Sequence, residues 1–370
     1  IKLTNMLKTP LNTIPKTLAA LSDYENLARE RLTPQSWAYI AGGSADELSM
    51  RRNREKLDDL CLLPRALKDV KLGGTKTTLL GQQFEHPIIS GPVAYQALAH
   101  PDGEIATAMA TQAQGGLWVM STLASCSFED ISNQVESPRW FQLYVQPTRS
   151  QTLELIQKAE HFQFSALVIT IDAPINGLRN REQRAEFSLP PNVRAVNIDT
   201  PPPLVHPGEG KSVVFQGLMA QAPTWDDIAF IQQHTSLPIV LKGTLNPLDA
   251  QKAAELGVAG IVVSNHGGRA LDSVPSPVEM LPIIRQTVGD EMMVLADSGV
   301  RRGADVVKLM ALGANAVLIG RPLMYGLATA GALGVAHTIR LLRDELEMTM
   351  ALCGVGSIEE INKHCLWPTA

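Results

Sequence analysis

AGIVVSNHGGRALD, residues 259–272, is a run of apolar and β-branched residues that stops abruptly at Ser264-Asn265-His266-Gly267-Gly268-Arg269. Its length and composition suit a strand buried on both faces, as in a parallel sheet. Just beyond it come an imidazole, two glycines and a guanidinium. The glycines let backbone approach a bound group closely. A lone histidine at a strand end is more often a satisfied structural residue, so the neighbouring segments must decide.

Working outward, seven more such runs occur at 87–94, 117–122, 139–145, 165–172, 237–243, 292–298 and 315–320. Helical segments lie between them. Residues 247–256 start at Pro247 and stop at Gly257, and 302–312 stop at Gly313. Residues 224–235 carry acids in their first turn, where the helix dipole favours them. Eight β-α repeats predict an α/β fold, a closed (β/α)8 TIM barrel. An open doubly wound sheet is the alternative, but no G-x-G-x-x-G opens a helix after the first run.

The chain is expected to be one domain over 1–370. Residues 1–60 would form N-terminal helices, carrying Tyr24, Trp37 and Tyr39, and a small hairpin is expected within 62–80 around Gly73-Gly74. The barrel would span 87–345, with a long loop at 183–222 after the fourth strand and a C-terminal helix over 346–370. The long connection holds Pro190-Pro191, Pro201-Pro202-Pro203 and Pro207-Gly208. It is either a lid or interface element on the active side, or a tolerated insertion.

Composition narrows the function classes. The 370 residues are 45% hydrophobic and 19% charged, enough for a large core. Net charge is −5 with no basic block, which argues against nucleic acid as main partner. Cys61, Cys126, Cys353 and Cys365 are scattered without a C-x-x-C pair, implying reduced thiols and a cytoplasmic setting. No run of 18 apolar residues predicts a membrane span, and the N-terminus shows no signal core. Because the first residue is Ile1, a few native residues are expected to precede it. No H-x-H or H-E-x-x-H suggests a metal. His206-Pro207-Gly208 faintly matches a haem-binding motif but reads as a turn, and Ser357 with Glu360 reads as a capping box.

Barrel enzymes place working residues just past the C-terminal ends of their strands. Here those positions hold Pro92-Val93-Ala94, able to lie along a flat ring; then Ser121, Gln142 with Tyr144, Thr170 with Asp172, and Arg179. Lys242 follows, a positive charge suited to a reduced flavin or an ion pair in the barrel mouth. His266 and Arg269 come next. A proton acceptor beside a carboxylate-binding arginine suits removal of hydrogen from a hydroxy acid. Asp297, Gly299, Arg301, Gly320 and Arg321 fall in the last two loops, where barrels often bind phosphate.

The sequence resembles the FMN-dependent (S)-2-hydroxy-acid oxidase/dehydrogenase family, which includes glycolate oxidase, lactate oxidase, mandelate dehydrogenase and the flavin domain of flavocytochrome b2. The resemblance runs from about residue 20 to the C-terminus. It is carried by SNHGGR-x-LD, FQLYV at 141–145, TIDAP at 170–174, AHPDGE at 99–104 and D-x-GVRRG at 297–303. It implies FMN as cofactor and His266 as active-site base, stabilised by Asp172. Arg269 and Arg179 would clamp the substrate carboxylate, with Tyr39 and Tyr144 bonding the substrate. Pro92, Val93 and Ala94 would lie along the flavin. Ser121, Gln142, Thr170, Lys242 and Ser264 would bond its ring system. Asp297, Gly299, Arg301, Gly320 and Arg321 would hold the ribityl-phosphate tail. It also implies a homotetramer.

Leu123 stands where the plant glycolate-oxidase pattern has Trp, and Asn176 where it has Leu. The expected substrate is therefore lactate-like or somewhat larger, oxidised to the 2-oxo acid with O2 reduced to H2O2. Transfer to a quinone or cytochrome is the alternative. Membrane-associated members tend to carry an apolar or basic segment in the long loop, and within 188–211 only Leu204-Val205 is an apolar pair. An FMN barrel isomerase would share the phosphate loops without needing His266, Arg269 and Arg179. A silent FMN-binding scaffold would need none of them.

Overall fold

The computed structural model describes residues 7–198 and 207–368. Three helices lead: α1 (Leu21–Arg31), α2 (Pro34–Ala41) and α3 (Leu48–Asp59). Helix α2 starts at Thr33, whose hydroxyl accepts from Ser36 N, with Pro34 in the first turn.

The hairpin pairs β1 (Thr77–Leu79) with β2 (Gln82–Phe84), and its turn is Leu80-Gly81. The expected centre at Gly73-Gly74 is corrected. A two-residue hairpin favours positive φ at both central residues, and Leu80 and Gly81 adopt φ 48° and 78°. Leu79 and Phe84 join the cluster inside the barrel and cover its N-terminal end.

Eight strands follow: β3 (Ile88–Ser90), β4 (Trp118–Ser121), β5 (Arg139–Leu143), β6 (Leu167–Thr170), β7 (Ile239–Thr244), β8 (Gly260–Val263), β9 (Met293–Ala296) and β10 (Ala316–Ile319). All neighbours pair parallel, and β10 returns to β3, so the sheet is a closed barrel and not the open alternative. Between them run α4 (Gly103–Ala113), α5 (Phe128–Ser132), α6 (Arg149–His161), α7 (Asn180–Arg184), α8 (Trp225–His234), α9 (Pro247–Glu255), α10 (Pro277–Val288) and α11 (Gly303–Ala311).

Successive strand side chains point to opposite faces. Accordingly Ile89, Val119, Trp140, Val168, Val240, Val262, Leu295 and Leu318, one per strand, form a cluster inside the barrel. Their neighbours, such as Ile88, Leu167, Ile169, Ile261 and Val317, pack into the separate core beneath the helices.

Helix α12 (Arg321–Leu352) is broken at Ala330 and Gly331, where φ and ψ leave the helical region. The expected helix over 346–370 is corrected too. The helix ends at Leu352, Gly354 turns left-handed, and among the described residues only the short 3-10 turns Ile358–Glu360 and Lys363–Cys365 follow. Ser357 makes no side-chain cap bond, and Glu360 instead accepts from Gly356 N, so the capping-box reading is corrected. A bridge between Leu62 and Leu366 holds this tail to the body.

The connection from β6 to β7 carries α7 and two short turns, Val213–Gly217 and Leu218–Gln221. Pro201-Pro202-Pro203, Leu204-Val205 and His206 lie outside the described residues.

Candidate active site

Two residues beyond the apolar layer, the same strands turn polar inward. The positions are Gly91, Ser121, Gln142, Thr170, Lys242, Ser264, Asp297 and Gly320. Above them opens a cavity of about 370 Å³, within the ~300–1,000 Å³ usual for small-molecule sites.

One wall is a hydrogen-bonded chain. Gln142 Oε1 accepts from Ser121 Oγ and Thr122 N, each at 3.2 Å, and Gln142 Nε2 donates to Thr170 Oγ1 at 3.0 Å. Next to it Lys242 Nζ lies 3.2 Å from Asp297 Oδ2 and 3.3 Å from Ser264 Oγ. Burial pulls the Lys242 ammonium down, but the Asp297 and Asp172 charges outweigh it and keep the group cationic. The strand register slips between Lys242 and Thr244, a bulge of the kind that re-aims side chains beside active sites. Gly243 sits in that bulge at φ 102°, and a Cβ there would strike Asp172.

His266 has φ 60°, followed by Gly267 at 63° and Gly268 at 73°. A left-handed non-glycine residue is strained and persists where its surroundings impose it. Here Asn265 imposes it. Its Oδ1 accepts from Gly268 N, and its amide exchanges two bonds with Asn53 at 2.9 and 2.7 Å. Ser298 Oγ accepts from Gly267 N. The turn brings His266 Nδ1 to 3.0 Å from Asp172 Oδ1. Burial depresses the imidazole below its ordinary value against the opposing pull of Asp172, so it is neutral at pH 7. Burial raises the Asp172 carboxyl, yet the His266 interaction and Lys242 together hold it below the usual range.

Arg269, from the same loop, donates to Tyr39 O at 2.6 Å and Gly42 O at 2.9 Å, and lies over the Tyr39 ring at 5.0 Å. The last carbonyls of a helix have no partner within it, so the end of α2 receives this cation and the N-terminal helices complete the site. Arg179, just before α7, is pushed down to about 10 by burial and by Arg269, and its Nη1 is buried without a partner among the described residues. Burial lifts the Tyr39 and Tyr144 hydroxyls to about 12, so both remain donors at neutral pH.

At the end formed by the last two strand loops, Arg321 donates to Gly267 O and shares Gly42 O with Arg269. Burial, with Arg269 and Arg301 nearby, pushes it down to about 9, and its Nε is buried without a partner among the described residues. Arg301, Ser298 at φ 77° and Gly299 at φ 87° line the same end. Crowded, partly unsatisfied cations beside open backbone call for an anion such as phosphate.

Leu123, Asn176, Pro92, Val93 and Ala94 also line the cavity. Two expected site residues do not. Asp172 stands behind His266, and Ser264 Oγ is engaged by Lys242 and by His266 N. Reasoning from sequence missed Gly91, Tyr95, Glu182, Phe187 and Leu189, which do line it. Gly91 was open to discovery, since it is the inward position two past Ile89. Glu182 follows Arg179 by three, a same-face spacing on a helix. Phe187 stacks on Tyr39 at 4.7 Å, a long-range contact that no local pattern marks.

These residues fit a flavin mononucleotide. A small flat wall at Pro92-Val93-Ala94 faces hydrogen-bonding side chains that suit a heteroaromatic ring. The unsatisfied Arg321 Nε lies at the phosphate end, and a Cβ at Gly320 would approach only Val93, at 3.7 Å. Among the described residues no cluster of three His, Cys, Asp or Glu is placed to hold a metal.

Residues 28–368 match the family described as FMN-dependent dehydrogenase. L-lactate oxidase of Roseobacter sp. (strain GAI101) is 46% identical over 348 residues, covering 94% of each chain. Glycolate oxidase 3 of Arabidopsis thaliana is 39% identical over 344 residues, covering 92% of this chain and 94% of the plant protein. A crystal structure of mandelate oxidase with (S)-2-phenylpropionate matches with a TM-score of 0.86 at 39% identity, covering 94% of this chain and 98% of that one.

Proposed function

The chain belongs to the FMN-dependent dehydrogenase family, and from that premise we propose that it oxidises an (S)-2-hydroxy acid, lactate-like or somewhat larger, to the 2-oxo acid, with O2 reduced to H2O2. The observation that carries this is His266. Its Nδ1 is bonded to Asp172, so Nε2 is left to take a proton at a cavity that also holds Arg179 and Arg269.

Oxidation of the alcohol removes two electrons and two protons. FMN, when bound, would supply the acceptor for both electrons and for the second proton. Arg179 and Arg269 bind the substrate carboxylate, and a planar guanidinium suits that group because its fork matches two oxygens. Tyr39 and Tyr144 donate to the substrate from protonated hydroxyls. His266 Nε2 takes one proton, and Asp172 stabilises the imidazolium that results. Help of this kind is worth on the order of 10²–10⁴-fold. Ser121, Gln142, Thr170 and Lys242 would hold the ring of the cofactor, and Gly299, Arg301, Gly320 and Arg321 its phosphate tail.

A second reading keeps this half-reaction and passes the electrons to a quinone or cytochrome. One observation favours it. Val213, Val214, Phe215 and Leu218, just C-terminal to 188–211, are exposed. An exposed apolar patch marks a contact with a membrane or another protein. The same patch supports the homotetramer, which we also propose. No helix among the described residues is long and apolar enough to cross a membrane. The four free thiols support a cytoplasmic location.

Anaerobic mixing with (S)-lactate, followed by air, tests the proposal. Flavin bleaching that reverses quickly in air with H2O2 is expected. Reversal only with a quinone dye would select the second reading, and no bleaching with any 2-hydroxy acid would overturn both.

A further inference from the structure

The arginine pair that would bind substrate already faces a carboxylate of the protein. Glu182 lies on α7, lines the cavity, and has its Oε1 3.6 Å from Arg269 Nη2 and 3.8 Å from Arg179 Nε. Both separations are too long for hydrogen bonds, and Oε1 is buried with no donor among the described residues. Burial raises the Glu182 carboxyl, and the two arginines oppose that only in part. Its position is held from outside the cavity. The adjacent Arg181 pairs with Glu47, and Glu47 also accepts from Gly43 N at the end of α2.

This carboxylate sets the charge at the substrate end. Two arginines less one glutamate leave one net positive charge. Lys242 adds none, being paired with Asp297, and Asp172 is turned to His266. One substrate carboxylate neutralises that charge. Arg321 shares Gly42 O with Arg269 but is assigned to the phosphate tail, so in the flavin-loaded enzyme a second carboxylate would meet no free cation and would face Glu182 in a site of low effective dielectric, where like charges repel strongly.

We propose that Glu182 restricts the site to 2-hydroxy acids with a single carboxylate and turns away those whose side chain carries another. This rests on the functional reading above and names the substrate class within it. Glu182 acts by charge, so its removal changes selection more than turnover.

The test uses the flavin-loaded enzyme and two four-carbon pairs, so that size is matched. Butyrate and succinate are titrated as non-reacting ligands by the change in flavin absorbance. (S)-2-Hydroxybutyrate and (S)-malate are compared as substrates. The wild type is expected to favour the monoanion in both pairs. Glu182→Gln should improve succinate binding and malate kcat/KM relative to their partners by about tenfold or more, through Kd and KM and not kcat. Glu182→Asp, which keeps the charge, should keep the discrimination. Equal treatment of mono- and dianions by the wild type overturns the proposal, as does an unchanged ratio in Glu182→Gln. If that variant does not fold, the wild-type ratios decide alone. If no hydroxy acid is oxidised, the functional reading fails while the butyrate and succinate titration still reports on Glu182.

Discussion

Two inward layers of the same barrel differ by one step of two residues along each strand. In the lower layer Ile89, Val119, Trp140, Val168, Val240, Val262, Leu295 and Leu318 fill the interior. In the upper layer Gly91, Ser121, Gln142, Thr170, Lys242, Ser264, Asp297 and Gly320 replace every one of them with a glycine or a polar group. The backbone scaffold is shared, so the difference is side-chain chemistry alone. The lower layer contributes transfer and packing energy, and only the Trp140 indole N–H in it is polar, buried without a partner among the described residues. The upper layer must satisfy each buried group, and does so through the Ser121–Gln142–Thr170 chain and the Lys242–Asp297 pair. Stability and reactivity are therefore stacked within one barrel and should respond to different substitutions.

The sharpest break comes above the upper layer. His266→Ala should reduce the rate of anaerobic flavin reduction by on the order of 10²–10⁴-fold, with FMN still bound. A near-normal rate would remove His266 from its role. In the lower layer Trp140→Ala should do the opposite. It should cost about 3–5 kcal/mol in denaturant unfolding, while turnover per folded, flavin-loaded molecule is maintained. A large loss of turnover in the folded fraction would show that the layers are not separable. A smaller effect is expected where the cavity meets the substrate side chain. Leu123→Trp should lower kcat/KM for longer 2-hydroxy acids against glycolate by about tenfold, and an unchanged ratio would remove Leu123 from selection.

The finest effect is in pH. Burial favours the neutral imidazole, so His266 gives up its proton below its ordinary 6.5. The neutral form is the active base. Activity should therefore hold down to that depressed value and fall as pH drops through it. Asp172 raises the His266 value, so Asp172→Asn should move the acid limb of kcat/KM lower still as well as reduce its plateau. A limb that moves to higher pH would contradict the assigned ion pair.

Much of this was legible in the linear chain. The eight apolar runs all became barrel strands, because strands buried on both faces need continuous hydrophobicity. Reading each run onward by two residues would have reached Gly91 as well. What failed was local. The hairpin turn settled at Leu80-Gly81, where paired positive φ was demanded, and the expected final helix gave way to a tail held by Leu62 and Leu366.

By itself the sequence determined the barrel, its strand order and the chemistry carried at each strand end, since these depend on composition and on a period of two. Only the tertiary structure decided that α2 receives Arg269 and Arg321 on its terminal carbonyls, that Phe187 stacks on Tyr39, and that Glu182 faces the arginine pair. Those contacts join segments far apart in the chain, and the burial that shifts His266, Arg179 and Arg321 exists only once they have closed around the cavity.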